Sequence, residues 1–364
     1  MSRFLGRQAA GLEPYVPGEQ PQDRRYIKLN TNECPYPPPP GVALALAGQA
    51  DACKLYPDPQ ADALRRKLAD YYGVAPDQIF VGNGSDEALA FAFFAFFDRG
   101  DAIHFPDPSY GFYPVYSDLC GLAANPIPLR EDFSLHPEDY MNLKGHIIIA
   151  NPNSPTGLCL EREQVEAILA ANPDRLVMID EAYIDFAGPG KSALPLLARY
   201  DNLLIIGTFS KSRSFAGLRL GYAVSSPEII AGLERIRCSF NPYNVNRLTQ
   251  LAAIASLEDE GYFTGVIARV NATRERISAS LREMGFNVLP SGANFIFAAH
   301  PRLSGRELYL ALREKGILVR SLAHPRTLNF ARISIGSDNE MDALLDAVSQ
   351  LTIDNEGIRC ADNI

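Results

Sequence analysis

The sequence predicts an α/β protein, with a large part built on a mainly parallel sheet between helices and a smaller C-terminal α/β part. From about Leu44 to roughly Asn244, short apolar runs alternate with helical stretches, which is the pattern of a parallel sheet covered on both faces. Several of those runs end in polar, turn-rich segments, as strands do where an open sheet presents its carboxyl ends to a ligand. The chain of 364 residues also exceeds what one hydrophobic core usually organises. The expected division is an N-terminal arm over 1–44, a large part over 45–248 and a small part over 249–364.

Taken in order, the arm is rich in proline and turn formers and reads as a segment lying across a partner or the active site. Val81 to Asp86 carries two glycines and runs into the apolar stretch Ala88 to Phe97, a buried helix too short to cross a bilayer. A helix starting at Ser85 or Asp86 offers free backbone N–H groups and a partial positive charge, which suit a phosphate. Either residue could equally be an ordinary N-cap. The apolar segment Ala102 to Phe105 leads to a proline-punctuated loop with Tyr110, and His146 to Ala150 leads to Asn151-Pro152-Asn153-Ser154-Pro155-Thr156-Gly157. A third strand ends at Asp180, three residues before Tyr183, and a fourth is Leu203 to Gly207. Asn241 to Asn246 precedes a long helix, and short strands near Gly292 to Ala298 and Arg332 to Ile335 mark the small part.

The densest chemistry follows the fourth strand, where Lys211 stands between Ser210 and Ser212 with Arg219 eight positions on. Lysine forms an imine with a carbonyl once its amine is neutral, and both burial and a nearby cation disfavour its charged form. Ser210 and Arg219 could hold a phosphate. A solvated basic loop or a Ser-Lys hydrolase pair would also fit this segment alone. Asp180 at its strand's end could pair with a protonated pyridine nitrogen, and together with a Schiff-base lysine this suggests pyridoxal 5′-phosphate (PLP). A nucleotide alternative rests on the Walker-B-like Val177 to Glu181 and on Gly188-Pro189-Gly190-Lys191-Ser192. It is weak, because the P-loop pattern needs a glycine where Asp185 stands and a buried strand directly before it.

The ordered strings Ser85-Asp86-Glu87-Ala88, Pro108 to Tyr113, Asn151 to Gly157, Asp180 to Tyr183, Thr208 to Tyr222 and Ala331 to Ser334 resemble the class-II, fold-type-I PLP aminotransferases. The resemblance extends to the branch acting on histidinol phosphate through Leu12 to Gly18, Ile27 to Glu33 and Gly316 to Arg320, and so spans nearly the whole chain. It implies a large domain with a mainly parallel seven-stranded sheet and a smaller C-terminal domain. It also implies transamination between histidinol phosphate and 2-oxoglutarate, with glutamate as the amino donor in reverse. Aromatic amino-acid aminotransferase and threonine-phosphate decarboxylase are the neighbouring activities. Position by position, Lys211 would bond the cofactor and move the proton, Asp180 would meet the ring nitrogen, Tyr183 the ring hydroxyl, and Tyr110 would stack on the ring. Ser85, Asp86, Ser210 and Arg219 would hold the phosphate, with Tyr56 reaching in from the second subunit of a homodimer. Arg320 and Arg332 would bind the anionic end of each substrate, and Asn32 and Tyr243 would line its pocket. The family's second asparagine before Pro-Thr-Gly is Ser154 here, so either Asn153 or Ser154 would meet the ring hydroxyl. The family's Asn-Glu-Asn-Pro string reads Asn32-Glu33-Cys34-Pro35, followed by prolines to Pro40.

The net charge of −9 argues against a nucleic-acid partner, so arginines must build any anion site locally. Six cysteines (34, 53, 120, 159, 238 and 360) lack CxxC spacing and five scattered histidines lack paired ligand spacing, so no metal is expected. With no apolar stretch near the start that would suit secretion or a membrane, a reduced cytoplasmic setting is expected.

Overall fold

The computed structural model describes residues 2–361. Its strands, in chain order, are β1 (Ile27–Lys28), β2 (Ile79–Gly82), β3 (Ala102–Asp107), β4 (Ala123–Pro128), β5 (His146–Ala150), β6 (Val177–Asp180), β7 (Leu203–Thr208), β8 (Gly221–Val224), β9 (Asn287–Val288), β10 (Phe295–Ala299), β11 (Ile317–Leu318), β12 (Arg320–Ser321) and β13 (Phe330–Ser334). Seven of them form the main sheet in the order β2-β8-β7-β6-β5-β3-β4. Neighbours from β7 to β4 pair parallel, while β8 pairs antiparallel with both β7 and β2. Within this sheet β8 alone therefore runs backwards, and the segment entering it starts at the edge where its neighbours end.

Strands β6 and β7 are buried at every position, so they read as continuous apolar runs rather than as alternating ones. The alternation is nonetheless present between the two faces. Ile147, Ile149, Val177, Ile179, Leu203 and Ile205 feed a core with the helices Asp62–Tyr72 and Arg162–Ala171. Ile148, Met178, Leu204 and Ile206 feed the opposite core with the helix Ser85–Phe96. Burying each such side chain stabilises the fold by roughly 1.5–3 kcal/mol, and Met178→Ala would cost about 2–5 kcal/mol by leaving a cavity.

A third, separate core lies over the antiparallel sheet β12-β13-β10-β9 and takes Val266, Val270 and Ile277 from the helix Glu260–Glu283. The expected boundary at 248/249 falls inside the helix Arg247–Glu258, whose Ala252, Ala253 and Leu257 pack in the large sheet's core. The arm divides in a similar way. Its β1 pairs parallel with β11, and Leu29 is buried in the third core. Among the described residues no helix is long and apolar enough to cross a membrane, and no group of three or more His, Cys, Asp or Glu could hold a metal ion.

Candidate active site

The carboxyl ends of β2, β3, β5, β6 and β7, together with the entry to β8, converge on one cleft of about 790 Å³. Lys211, Asp180, Tyr183, Ser85, Asp86, Tyr110, Ser154, Ser210, Arg219, Asn32, Arg320 and Arg332 all line it. Twelve sequence-predicted residues thus meet at one sheet edge, although they span residues 32 to 332.

Lys211 leaves β7 three residues past its last strand position, and its Nζ donates to the Thr31 carbonyl at 3.0 Å. Burial, then the Arg332 guanidinium, hold its amine down at about 8, against the opposing pull of Glu33 and Asp86. A lysine so placed is neutral far more often near pH 7 than a free one. The tight turn that carries it is anchored on the other side, where Ser212 Oγ donates to the half-buried carboxylate of Asp185 at 2.5 Å.

Asp180 is 5% exposed, and burial pushes its carboxyl up to about 6. Two bonds resist this shift, from Tyr113 Oη to Oδ2 at 3.0 Å and from the Ala182 N–H to Oδ1 at 3.2 Å. Tyr113 did not emerge from the sequence. It sits in the first turn of the helix Phe112–Cys120, fully buried behind the cleft with its ring edge-on to Tyr110 at 5.6 Å, and no side-chain periodicity marks it.

The anion-binding corner is built from backbone as much as from side chains. Gly84 adopts φ +80° at the N-cap of Ser85–Phe96 and offers no side chain to the first-turn N–H groups. A Cβ there would stand 2.3 Å from Arg219 Nη2, and a Cβ on Gly221 would stand 2.2 Å from the Gly84 carbonyl carbon. Both positions therefore need glycine. Arg219 contacts Asp86 Oδ2 at 3.3 Å and Ser210 Oγ at 3.3 Å, and Tyr110 Oη donates to Asp86 Oδ1 at 2.8 Å. A phosphate here would meet a guanidinium, a hydroxyl and a helix N-terminus.

Arg320 and Arg332 are direct cross-strand partners on β12 and β13. Arg332 donates to Ser154 Oγ at 3.2 Å and the Asn30 carbonyl at 3.1 Å, and its buried Nε has no hydrogen-bond partner. Arg320 is held by the arm's Val16 and Pro17 carbonyls at 2.8 and 3.1 Å. The arm contributes three further contacts that sequence reasoning missed, with Asn30, Thr31 and Asn32 touching Arg332, Lys211 and Tyr183 in turn. Tyr15 closes the same side, stacked on Phe112 at 4.3 Å.

Three expected residues lie elsewhere. Asn153 is turned away from the cleft, because its amide is taken up by Ser109, Thr156 and the Pro108 carbonyl, and Ser154 holds the cleft position instead. Tyr56 and Tyr243 stack on each other at 4.4 Å outside this chain's cleft, with Tyr56 75% exposed. The glycine-rich Gly188 to Ser192 segment is closed by its own carboxylates. Ser192 Oγ and the Ala193 N–H donate to buried Glu181, which burial pushes up to about 7, and Lys191 pairs with Glu161.

A phosphorylated aromatic aldehyde fits this donor set, with an amine to bond it, a buried carboxylate for a ring nitrogen and a backbone-lined cradle for its phosphate. The family described as aminotransferase class I and II matches residues 24–348. The chain belongs to that aminotransferase family. It is 49% identical over 352 residues to a histidinol-phosphate aminotransferase of Brachyspira hyodysenteriae, covering 96% of this chain and 99% of the relative. To a protein of the same description from Clostridium acetobutylicum it is 48% identical over 351 residues, covering 96% and 99%. Among solved structures it resembles the histidinol-phosphate aminotransferase of Sinorhizobium meliloti in complex with pyridoxal-5′-phosphate. That match has a TM-score of 0.88, 26% identity and coverage of 97% of this chain and 99% of the other. The Thermus thermophilus aspartate aminotransferase with maleate shares the fold at TM-score 0.81 and 20% identity, over 96% of this chain and 100% of the other. The architecture expected from the sequence, a seven-stranded mainly parallel sheet with a smaller C-terminal part, is that of these aminotransferases.

Proposed function

We propose that this aminotransferase uses PLP to exchange an amino group between histidinol phosphate and 2-oxoglutarate, the transamination step of histidine synthesis. The observation that carries the substrate assignment is the opposed pair Arg320 and Arg332 in the cleft that holds Lys211. Like charges directly across a strand pair repel, and a bound anion relieves that repulsion. Two guanidiniums suit the dianion of a phosphate ester and can take a carboxylate in turn, as both half-reactions require. The names of the relatives point the same way.

PLP supplies an electron sink for the charge that develops at the substrate carbon. In this reading the chain's residues bind, orient and move protons around it. The backbone of Ser85 and Asp86, with Ser210 and Arg219, would hold the cofactor's phosphate, Asp180 would keep the ring nitrogen protonated, Tyr183 would donate to the ring hydroxyl, and Tyr110 would cover the ring face. Neutral Lys211 Nζ would serve as the base and then the acid of the 1,3-proton shift. The substrate's own phosphate, gripped by Arg320 and Arg332, would fix which substrate bond stands perpendicular to the ring. The exposed Tyr56–Tyr243 stack fits a homodimer in which Tyr56 completes the partner's phosphate site. With free cysteines at 34, 53, 120, 159 and 238, the setting proposed is the cytoplasm.

The test is the visible absorbance of purified protein incubated with PLP, and then with glutamate, histidinol phosphate or phenylalanine. A band that bleaches with glutamate and histidinol phosphate but little with phenylalanine is the expected result. An equal phenylalanine response would favour an aromatic aminotransferase, carbon dioxide release from threonine phosphate a decarboxylase, and no band at all would overturn the PLP reading.

A further inference from the structure

The hydrogen-bond chain behind Tyr183 has a direction, and a backbone amide sets it. The Asn32 N–H donates to Ser334 Oγ at 2.8 Å, so the Ser334 hydroxyl is already an acceptor on that side. Its own proton turns to the other contact, Asn32 Oδ1, also at 2.8 Å. That contact must then be the amide oxygen, which leaves Asn32 Nδ2 facing Tyr183 Oη at 3.0 Å as a donor. Asn32 is held in this pose, at φ +57°, by a second grip, because Asn294 Nδ2 donates to its carbonyl at 2.9 Å. Both Asn32 and Ser334 are almost wholly buried, so water does not compete.

Arg332 Nη1 donates to Ser154 Oγ, which lines the cleft beside Tyr183. With the Asn32 amide donating to its oxygen, Tyr183 turns its own proton away from Asn32 and into the cleft that it lines.

We propose that Ser334 is a positioning residue that sets the orientation of the Asn32 amide and thereby makes Tyr183 an obligate proton donor into the active-site cleft. The inference rests on the PLP reading, in which that donor meets the ring hydroxyl oxygen. Ser334 does not itself line the cleft and acts through Asn32. Without its hydroxyl the amide is free to rotate, and Tyr183 can turn its proton onto the amide oxygen instead.

The test follows the visible band of the PLP-loaded protein from pH 5 to 10. A donor at the ring oxygen stabilises its anion, so losing that donor makes the conjugated nitrogen keep its proton to higher pH. Ser334→Ala should raise the midpoint by about one unit, the size of one charge-assisted hydrogen bond. Ser334→Thr, which keeps the hydroxyl, should stay near the parent value. Tyr183→Phe should rise at least as far, and the double variant with Ser334→Ala should match Tyr183→Phe alone, because the two residues act in series. Lys211, Arg332 and Asp180 also face Tyr183 and are unchanged in every variant. An unshifted Ser334→Ala, or a shift that adds to that of Tyr183→Phe, overturns the proposal. Should Ser334→Ala not fold, Ser334→Cys, similar in size but a weak donor, takes its place with the same two readings. A parent protein with no visible band would instead overturn the PLP reading itself.

Discussion

The depressed basicity of Lys211 makes a quantitative forecast for how fast the protein captures its cofactor. An ordinary lysine titrates near 10.5 and Lys211 near 8, so at pH 7 its neutral fraction is roughly 300-fold larger than that of a free lysine. Imine formation needs the neutral amine, so the capture rate should climb about tenfold per pH unit below pH 7 and level off above about 8. The assay is stopped-flow absorbance of PLP mixed with cofactor-free protein at pH 6 to 10. Dividing each rate by that of a blocked free lysine at the same pH removes the ionisations of PLP itself. Arg332→Ala removes the largest charge that opposes the ammonium, so its plateau should begin at higher pH and its rate near neutrality should fall. A ratio that stays flat from pH 6 to 10 would mean that Lys211 behaves as a free lysine and would refute the reasoning.

Three further outcomes are expected. Arg320→Ala should raise KM for histidinol phosphate by about 10- to 150-fold, the worth of one charge-assisted contact, and KM for glutamate by less. Equal losses would point to general damage. Tyr113→Phe removes a bond that opposes the upward shift of Asp180, so its carboxyl should titrate higher than about 6. PLP affinity, read by equilibrium dialysis, should then fall increasingly as pH drops from 8 to 6, whereas a loss independent of pH would sink this account. Gly221→Ala forces a Cβ onto the Gly84 and Ser85 backbone, so thermal unfolding should show about 1–3 kcal/mol of destabilisation, with weakened PLP binding. An unchanged Tm would contradict the close approach.

Four strands at the centre of the main sheet, β3, β5, β6 and β7, were legible because they are mostly apolar and each ends in a distinct polar string, whereas β2, β8 and the largely exposed edge strand β4 were not. The runs at 146–150 and 177–180 coincide with β5 and β6, and the helix starts at Ser85 as its glycine-flanked entry implies. The small strands β1, β9, β11 and β12 were not legible, since two residues have no periodicity, and β1 pairs with a segment about 290 residues away. The same distance hid the contacts of Asn30 and Thr31, which are made by backbone carbonyls that no side-chain pattern reports. Asn153 and Ser154 could not be told apart from sequence, because the turn's geometry, and not residue type, decides which side chain faces the cleft. The boundary at 248/249 was drawn at a loop-to-helix change, but the helix Arg247–Glu258 packs with the sheet that precedes it.

The clamp on residues 30–32 has a consequence for how the protein is made. Those residues leave the ribosome early, yet the strands that pin them, β11 and β13, are synthesised only after residue 316. Until then the lysine and the tyrosine of the cleft lack those pinned neighbours, and neither Arg320 nor Arg332 has yet been made. A nascent or truncated chain therefore carries a finished central sheet without a finished pocket, and cofactor loading becomes a report that synthesis has run nearly to its end.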